Sequence, residues 1–169
     1  MTLRGLDTGV APARAAVYRV GMDLRIRKAV DVDLAPVAEL RWSSIVDEKN
    51  AVPATEHGAF VEAFVAWARA AQHECFVAEI AGRIRGAAWV VLTERVPSPR
   101  ALIRVTADLQ GVYVDPDYRG QGIGQRLIAY VVEEATARGA ERVVVHSSDL
   151  AVPLYERVGF TASRTLLHL

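Results

Sequence analysis

No stretch constrains this chain more than Arg119-Gly120-Gln121-Gly122-Ile123-Gly124. A short apolar run, Val112-Tyr113-Val114, leads into it through the turn Asp115-Pro116-Asp117-Tyr118, and an amphipathic segment follows to Arg138. The order is strand, Gly-rich turn, helix. Glycines at alternate positions leave a bare backbone where a helix begins, at unpaired amides and the positive end of the dipole. Such a turn cradles an anion, most often phosphate. A P-loop would end in Gly-Lys-Ser/Thr, but Gly124 is followed by Gln125-Arg126. A dinucleotide fingerprint would read G-x-G-x-x-G near the start of a βαβ unit. Here the spacing is G-x-G-x-G, late in the chain. What is left is the pyrophosphate turn of another nucleotide-type cofactor.

The chain of 169 residues, 51% hydrophobic, is long enough for one domain with a substantial core. Lys+Arg and Asp+Glu stand at 20 each, so no global field draws a polyanion, and nucleic acid is not expected as the ligand. No apolar run reaches the roughly 18 residues of a membrane span. Cys75 is the only cysteine, which fits a reducing, cytoplasmic setting. Its apolar neighbours Phe76-Val77-Ala78 point to buried packing rather than nucleophilic chemistry. His57, His73, His146 and His168 show no metal-ligand spacing.

Residues 1–22 read as an N-terminal extension, with a short added strand expected from Ala15 to Val20, and 23–169 as the domain. Leu24–Arg27 alternates like a half-buried strand. Asp33 is expected to cap a first helix carrying Leu34, Val37, Ala38 and Ile45, and Thr55 a second, with Phe60, Phe64, Trp67, Ala68 and Ala71 on one face. Glu74–Ile80 and Ile84–Leu92 read as a hairpin with apolar residues on both faces, hence a sheet covered on both sides. Another strand is expected over Ile103–Val114. The next helix places Ile123, Leu127, Val131 and Ala135 on one stripe and ends at Gly139. Arg142–His146 then forms a strand parallel to the one before the Gly turn, as a right-handed βαβ unit requires. Ser148 or Asp149 is expected to cap a last helix stopped by Gly159-Phe160, and 160–169 to form a final strand.

The pattern R-x-x-G-x-G carried by Arg119, Gly122 and Gly124, with V-x-V-D-P before it and Leu-Tyr-Glu-Arg-Val-Gly-Phe at 154–160, resembles the GNAT superfamily of N-acetyltransferases. The order of elements agrees over 24–169. The resemblance implies an α/β (α+β) fold: a mixed, mostly antiparallel twisted sheet, a parallel, splayed strand pair around acetyl-CoA, and helices on both faces. It implies acetyl-CoA as co-substrate. Val112, Tyr113 and Val114 would offer backbone groups to the pantetheine arm, which pairs with them as a strand would. Gly120, Gln121, Gly122, Ile123, Gly124 and Gln125 would hold the pyrophosphate, with Arg119 and Arg126 beside the phosphates. Tyr155 maps onto the tyrosine that serves the departing thiolate. Where the family often has Asn contacting pantetheine, this chain has Ser148, with a shorter reach.

The resemblance implies Asp108 as the base for the acceptor amine, since a position at about its offset from Val114 carries a catalytic acid in some members of the family; Glu74, Tyr113, His146 or a water relay are the alternatives. Trp42, Asp47, Glu48 and Trp67 fall where the family shapes its acceptor pocket. Packed aromatics and solvated acids at helical spacing are the preferred reading of these four. A small-molecule amine is the preferred acceptor. A protein or peptide amine, or a silent acetyl-CoA-binding module, is the alternative, and the apolar C-terminal segment leaves a homodimer open.

Overall fold

The computed structural model describes residues 23–163. The extension 1–22 with its expected strand at 15–20, and 164–169 of the expected final strand, lie outside the described residues. Phe160–Ser163 are irregular.

Among the described residues five strands form one sheet in chain order: β1 (Leu24–Lys28), β2 (Glu74–Ile80), β3 (Arg83–Glu94), β4 (Val105–Val114) and β5 (Ala140–Val145). The first four run antiparallel to their neighbours, and β5 runs parallel to β4. Strand alternation sorts the side chains. Phe76, Ala88, Val90, Ala107 and Leu109 bury one face under α3 (Ile123–Ala137) and α4 (Val152–Glu156). Cys75, Val77, Ala87 and Trp89 bury the other under α1 (Leu34–Trp42) and α2 (His57–Ala70). The sheet is thus covered on both sides, as its apolar content demands. In α3 the stripe Ile123, Leu127, Val131 and Ala135 is at most 2% exposed. Burial contributes about 1.5–3 kcal/mol for each of the three large side chains, several times any difference in helix propensity. No helix among the described residues is long and apolar enough to cross a membrane.

Two expected caps are corrected. Asp33 precedes α1, but its carboxylate caps none of that helix's amides. A 3-10 turn, Asp31–Asp33, already winds the backbone there. The Asp33 carboxylate therefore reaches back, accepting from the Val30 amide at 2.7 Å and from both terminal nitrogens of Arg27 at 2.6 and 3.0 Å. Thr55 does not cap α2, which starts two residues later with extended Glu56 before it.

One feature of β4 was not expected. Val90 pairs with Leu109 and Trp89 with Gln110, yet Ala87 pairs with Tyr113. Gly111 and Val112 together oppose Ala88, a β-bulge, and Gly111 takes φ 56°, the left-handed region that favours glycine. The bulge reverses the parity of the strand. Before it Ala107 and Leu109 face α3, while Asp108 and Gln110 share the other face with Trp89. After it Val112 and Val114 face the α3 side, and Tyr113 turns toward α1.

Candidate functional site

β4 and β5 stay paired only from Val105↔Ala140 to Leu109↔Val145. Beyond that rung Gln110–Val114 have no partner on β5, and the strands part. The Asp115 amide donates to the Arg85 carbonyl at 2.9 Å. Antiparallel hydrogen bonds recur every second residue. Tyr113 therefore spends its backbone on Ala87, while Val112 and Val114 turn theirs to the gap. This corrects the expectation for Tyr113: of the three, only Val112 and Val114 face the opening. The Val114 carbonyl already accepts from Arg119 Nε at 2.9 Å.

At the end of β4 a 3-10 turn, Pro116–Tyr118, leads into the Gly-rich loop. Gly120 and Gly122 have φ 74° and 76°, and a Cβ at either would meet nothing within 4 Å. Their requirement is a left-handed backbone; the open space beside them is a second property, room for a ligand. Gly124 differs: a Cβ there would touch Leu154 at 3.4 Å, so its smallness lets α3 start against α4. No side chain caps α3, and its first bonded amide is that of Arg126, to the Gly122 carbonyl at 3.1 Å. The amides of Ile123, Gly124 and Gln125 are left as donors at the positive end of the helix. The Ile123 side chain is buried, so only its backbone serves the turn, while Gln121 is exposed. Arg126 is exposed beside it with no ion-pair partner among the described residues. These donors, the gap and the free cation fit a pyrophosphate followed by an extended amide-bearing arm.

Arg119 is placed differently from the expectation. It forms a two-point ion pair with Glu48, at 2.8 and 2.9 Å, and lies 5.2 Å over the Tyr113 ring. The Tyr113 hydroxyl donates to the same Glu48 carboxylate. Glu48 follows a single π-turn, Ser43–Asp47, that prolongs α1. The cluster thus fastens the end of α1 to the end of β4. The Arg119 hydrogen bond holds the Glu48 carboxyl below its ordinary range. Burial, then the bond to Glu48, pushes the Tyr113 phenol up. Tyr113 stays protonated near neutral pH and drops out as a base.

Glu74 drops out by distance. It pairs with Lys28 at 3.2 Å and Arg138 at 2.6 Å, at the far end of α3. Fifteen residues of helix separate that end from the Gly turn, about 22 Å at 1.5 Å per residue. Asp108 is half-buried on β4, one residue before the last rung, and accepts from Gln110 Nε2 at 2.5 Å. His146 is exposed and directly follows that rung on β5.

Tyr155 lies in α4, 8% exposed, in the apolar cluster that holds Leu109, Val112 and Val145 where the strands part. The Phe160 ring meets it edge-on at 5.5 Å, and the Phe160 amide closes the helix onto the Tyr155 carbonyl at 3.1 Å. Its hydroxyl has no hydrogen-bond partner among the described residues. Burial raises its pKa. Ser148 precedes a 3-10 turn, Asp149–Ala151, and its hydroxyl caps nothing.

The aromatics expected as packing do pack. Trp42 meets His57 and Phe60, and Trp67, though 46% exposed, meets Phe64, Trp89 and His73, in one ladder of rings along α2. Cys75 is 5% exposed, and burial with the nearby Asp33 charge pushes its thiol up to about 12. At pH 8 about one thiol in 10⁴ is then ionised. Ellman's reagent should find no reactive thiol in the native protein and one per chain in guanidinium. Rapid native labelling would contradict this packing.

A model described as the acetyltransferase (GNAT) family matches residues 37–160. Glucosamine 6-phosphate N-acetyltransferase of Trypanosoma brucei brucei is 33% identical over 88 residues, 52% of this chain and 58% of that protein. The match therefore spans little more than half of that relative's length. Glucosamine 6-phosphate N-acetyltransferase 1 of Oryza sativa subsp. japonica is 30% identical over 167 residues, 97% of this chain and 96% of its own. The crystal structure of a Trypanosoma brucei acetyltransferase superposes with TM-score 0.67 at 28% identity, covering 87% of this chain and 99% of that one.

Proposed function

Because the chain belongs to the GNAT acetyltransferase family, we propose that it transfers an acetyl group from acetyl-CoA to a primary amine of a small molecule, by direct attack in a ternary complex. The observation that carries this reading is the parting of β4 and β5 after Leu109 and Val145, beside an uncapped helix start. The pyrophosphate of acetyl-CoA takes the amides of Ile123, Gly124 and Gln125, with Arg126 adding charge. The pantetheine arm lies along Val112 and Val114 as an added strand. Arg119 Nε yields the Val114 carbonyl or shares it.

The amine arrives as an ammonium and loses a proton to Asp108, directly or through water. Its nitrogen forms a bond to the thioester carbon, and the carbon–sulfur bond breaks. The departing sulfur takes the proton of the Tyr155 hydroxyl, whose raised pKa keeps it protonated until then, and the second proton of the acylated nitrogen passes through water to restore the phenol. The names of the trypanosome and rice relatives support a small-molecule acceptor.

The test is CoA-thiol release with acetyl-CoA against small amines, amino acids and peptides with free N-termini. Turnover on small amines is the expected result. Turnover on peptides alone would move the reading to a protein or peptide acetyltransferase. Acetyl-CoA binding with no acceptor consumed would favour a silent module.

A further inference from the structure

Arg41 is exposed, at the position where the buried stripe of α1 would continue toward the strand gap. Leu34, Val37 and Ala38 form the buried stripe of that helix, and the next positions on the stripe are 41 and 42. An apolar residue is expected there. The guanidinium instead extends along the sheet to the bulge on β4: Nη1 lies 3.9 Å from where a Cβ at Gly111 would stand, with Trp89 Cδ1 3.6 Å from the same point. Gly111 has no side chain to contest that space.

Arg41 also has no acid partner among the described residues. The positions within helical reach, 37, 38, 44 and 45, are Val, Ala, Ser and Ile. Glu39, two residues before it, pairs with His57 at 2.8 Å. Glu48 is spent on Arg119, and Asp108 bonds Gln110. Gly111, beneath Arg41, lies between Gln110 and Tyr113, whose side chains are on that same face. An unpaired, planar cation thus stands over the bulge at the mouth of the strand gap, on the face that also carries Asp108. Such a guanidinium matches the geometry of a phosphate or carboxylate, which it binds through two parallel hydrogen bonds.

We propose that the acceptor is an anionic amine, and that Arg41 is the specificity-determining residue that binds its phosphate or carboxylate while the amine faces Asp108. This rests on the acetyltransferase reading above and names its substrate class. Arg41 acts on acceptor choice and takes no part in proton transfer.

The experiment compares kcat/KM within two matched pairs: glucosamine 6-phosphate against glucosamine, and 4-aminobutyrate against 4-aminobutanamide. The wild type should prefer the anionic member of one pair by about tenfold or more, and the pair that shows it identifies phosphate or carboxylate. Arg41→Gln should shrink that ratio about tenfold, chiefly through KM for the anionic acceptor, and Arg41→Lys should restore part of it. A wild-type ratio near one in both pairs overturns the proposal, as does a preference that Arg41→Gln leaves intact. If no amine turns over, the acetyltransferase reading is what has failed. Calorimetric binding of the amine-free probes glucose 6-phosphate and butyrate then decides the proposal. Binding that Arg41→Gln weakens supports it, and no binding of either probe sinks it.

Discussion

Tyr155→Phe should lower kcat on the order of 100- to 1,000-fold, the range in which a positioned proton donor acts, while acetyl-CoA affinity stays within a factor of about two. The ring is held by Phe160 and the core around Leu109 and Val145. Phenylalanine keeps that packing. The only group lost is a hydroxyl that no other described residue engages, so its removal orphans nothing and stability should change by less than about 1 kcal/mol. What the reaction loses is the proton for the departing sulfur. Single-turnover rates, measured beside calorimetric titration of acetyl-CoA, separate the two effects. Turnover within threefold of wild type would remove Tyr155 from the mechanism. A loss confined to acetyl-CoA binding would make it part of the cofactor wall.

The second large effect is on stability. Asp33→Ala should cost about 3 kcal/mol, near the lower end for breaking a buried ion pair. Asp33 is 5% exposed and takes bonds from Arg27 and the Val30 amide. Its loss leaves the amide unpaired and a half-buried guanidinium with Glu79 alone, at 2.8 Å. The Arg27 hydrogen bond holds the Asp33 carboxyl below its ordinary range. A carboxyl with a folded-state pKa below its unfolded value stabilises above the unfolded value, about 3.9. That contribution disappears as pH falls through the folded value. The gap between wild type and Asp33→Ala should therefore be full at pH 7 and close below about pH 4. Urea midpoints at unchanged slope measure it. A gap independent of pH would assign the cost to packing.

Much of this architecture is legible along the chain because it depends on local periodicity. The stripe Ile123, Leu127, Val131, Ala135 announces α3 and its buried face, and the alternating glycines announce the turn before it. Gly139, with φ 86°, closes the helix where expected. What escapes is what depends on pairing across the fold. Glu48 and Arg119 are separated by 71 positions, and nothing local says that the arginine beside the Gly-rich turn is committed to an acid at the end of α1. Asp33 reads as a cap because capping is a local rule, and it fails when Arg27 competes for the same oxygens. Arg41 could have been noticed as a charge on an apolar stripe. Its meaning needed Gly111 beneath it, and the bulge at Gly111 is visible only once β3 supplies the register.

That bulge makes β4 two strands spliced half a period out of phase. The leading part obeys one rule, even residues toward α1 and odd toward α3, and the trailing part obeys the opposite rule. Had the phase run on unbroken, Val112 and Val114 would present their side chains to the α1 side, and the Tyr113 phenol would be pressed into the core. A one-residue insertion or deletion in the loop between β3 and β4 changes only the length of a connection. The same edit at 110–112 is a frame error: every downstream side chain changes sides while the apolar composition of the strand stays the same. Drift in this chain is therefore tightest in residue count, more than residue identity, over those few positions.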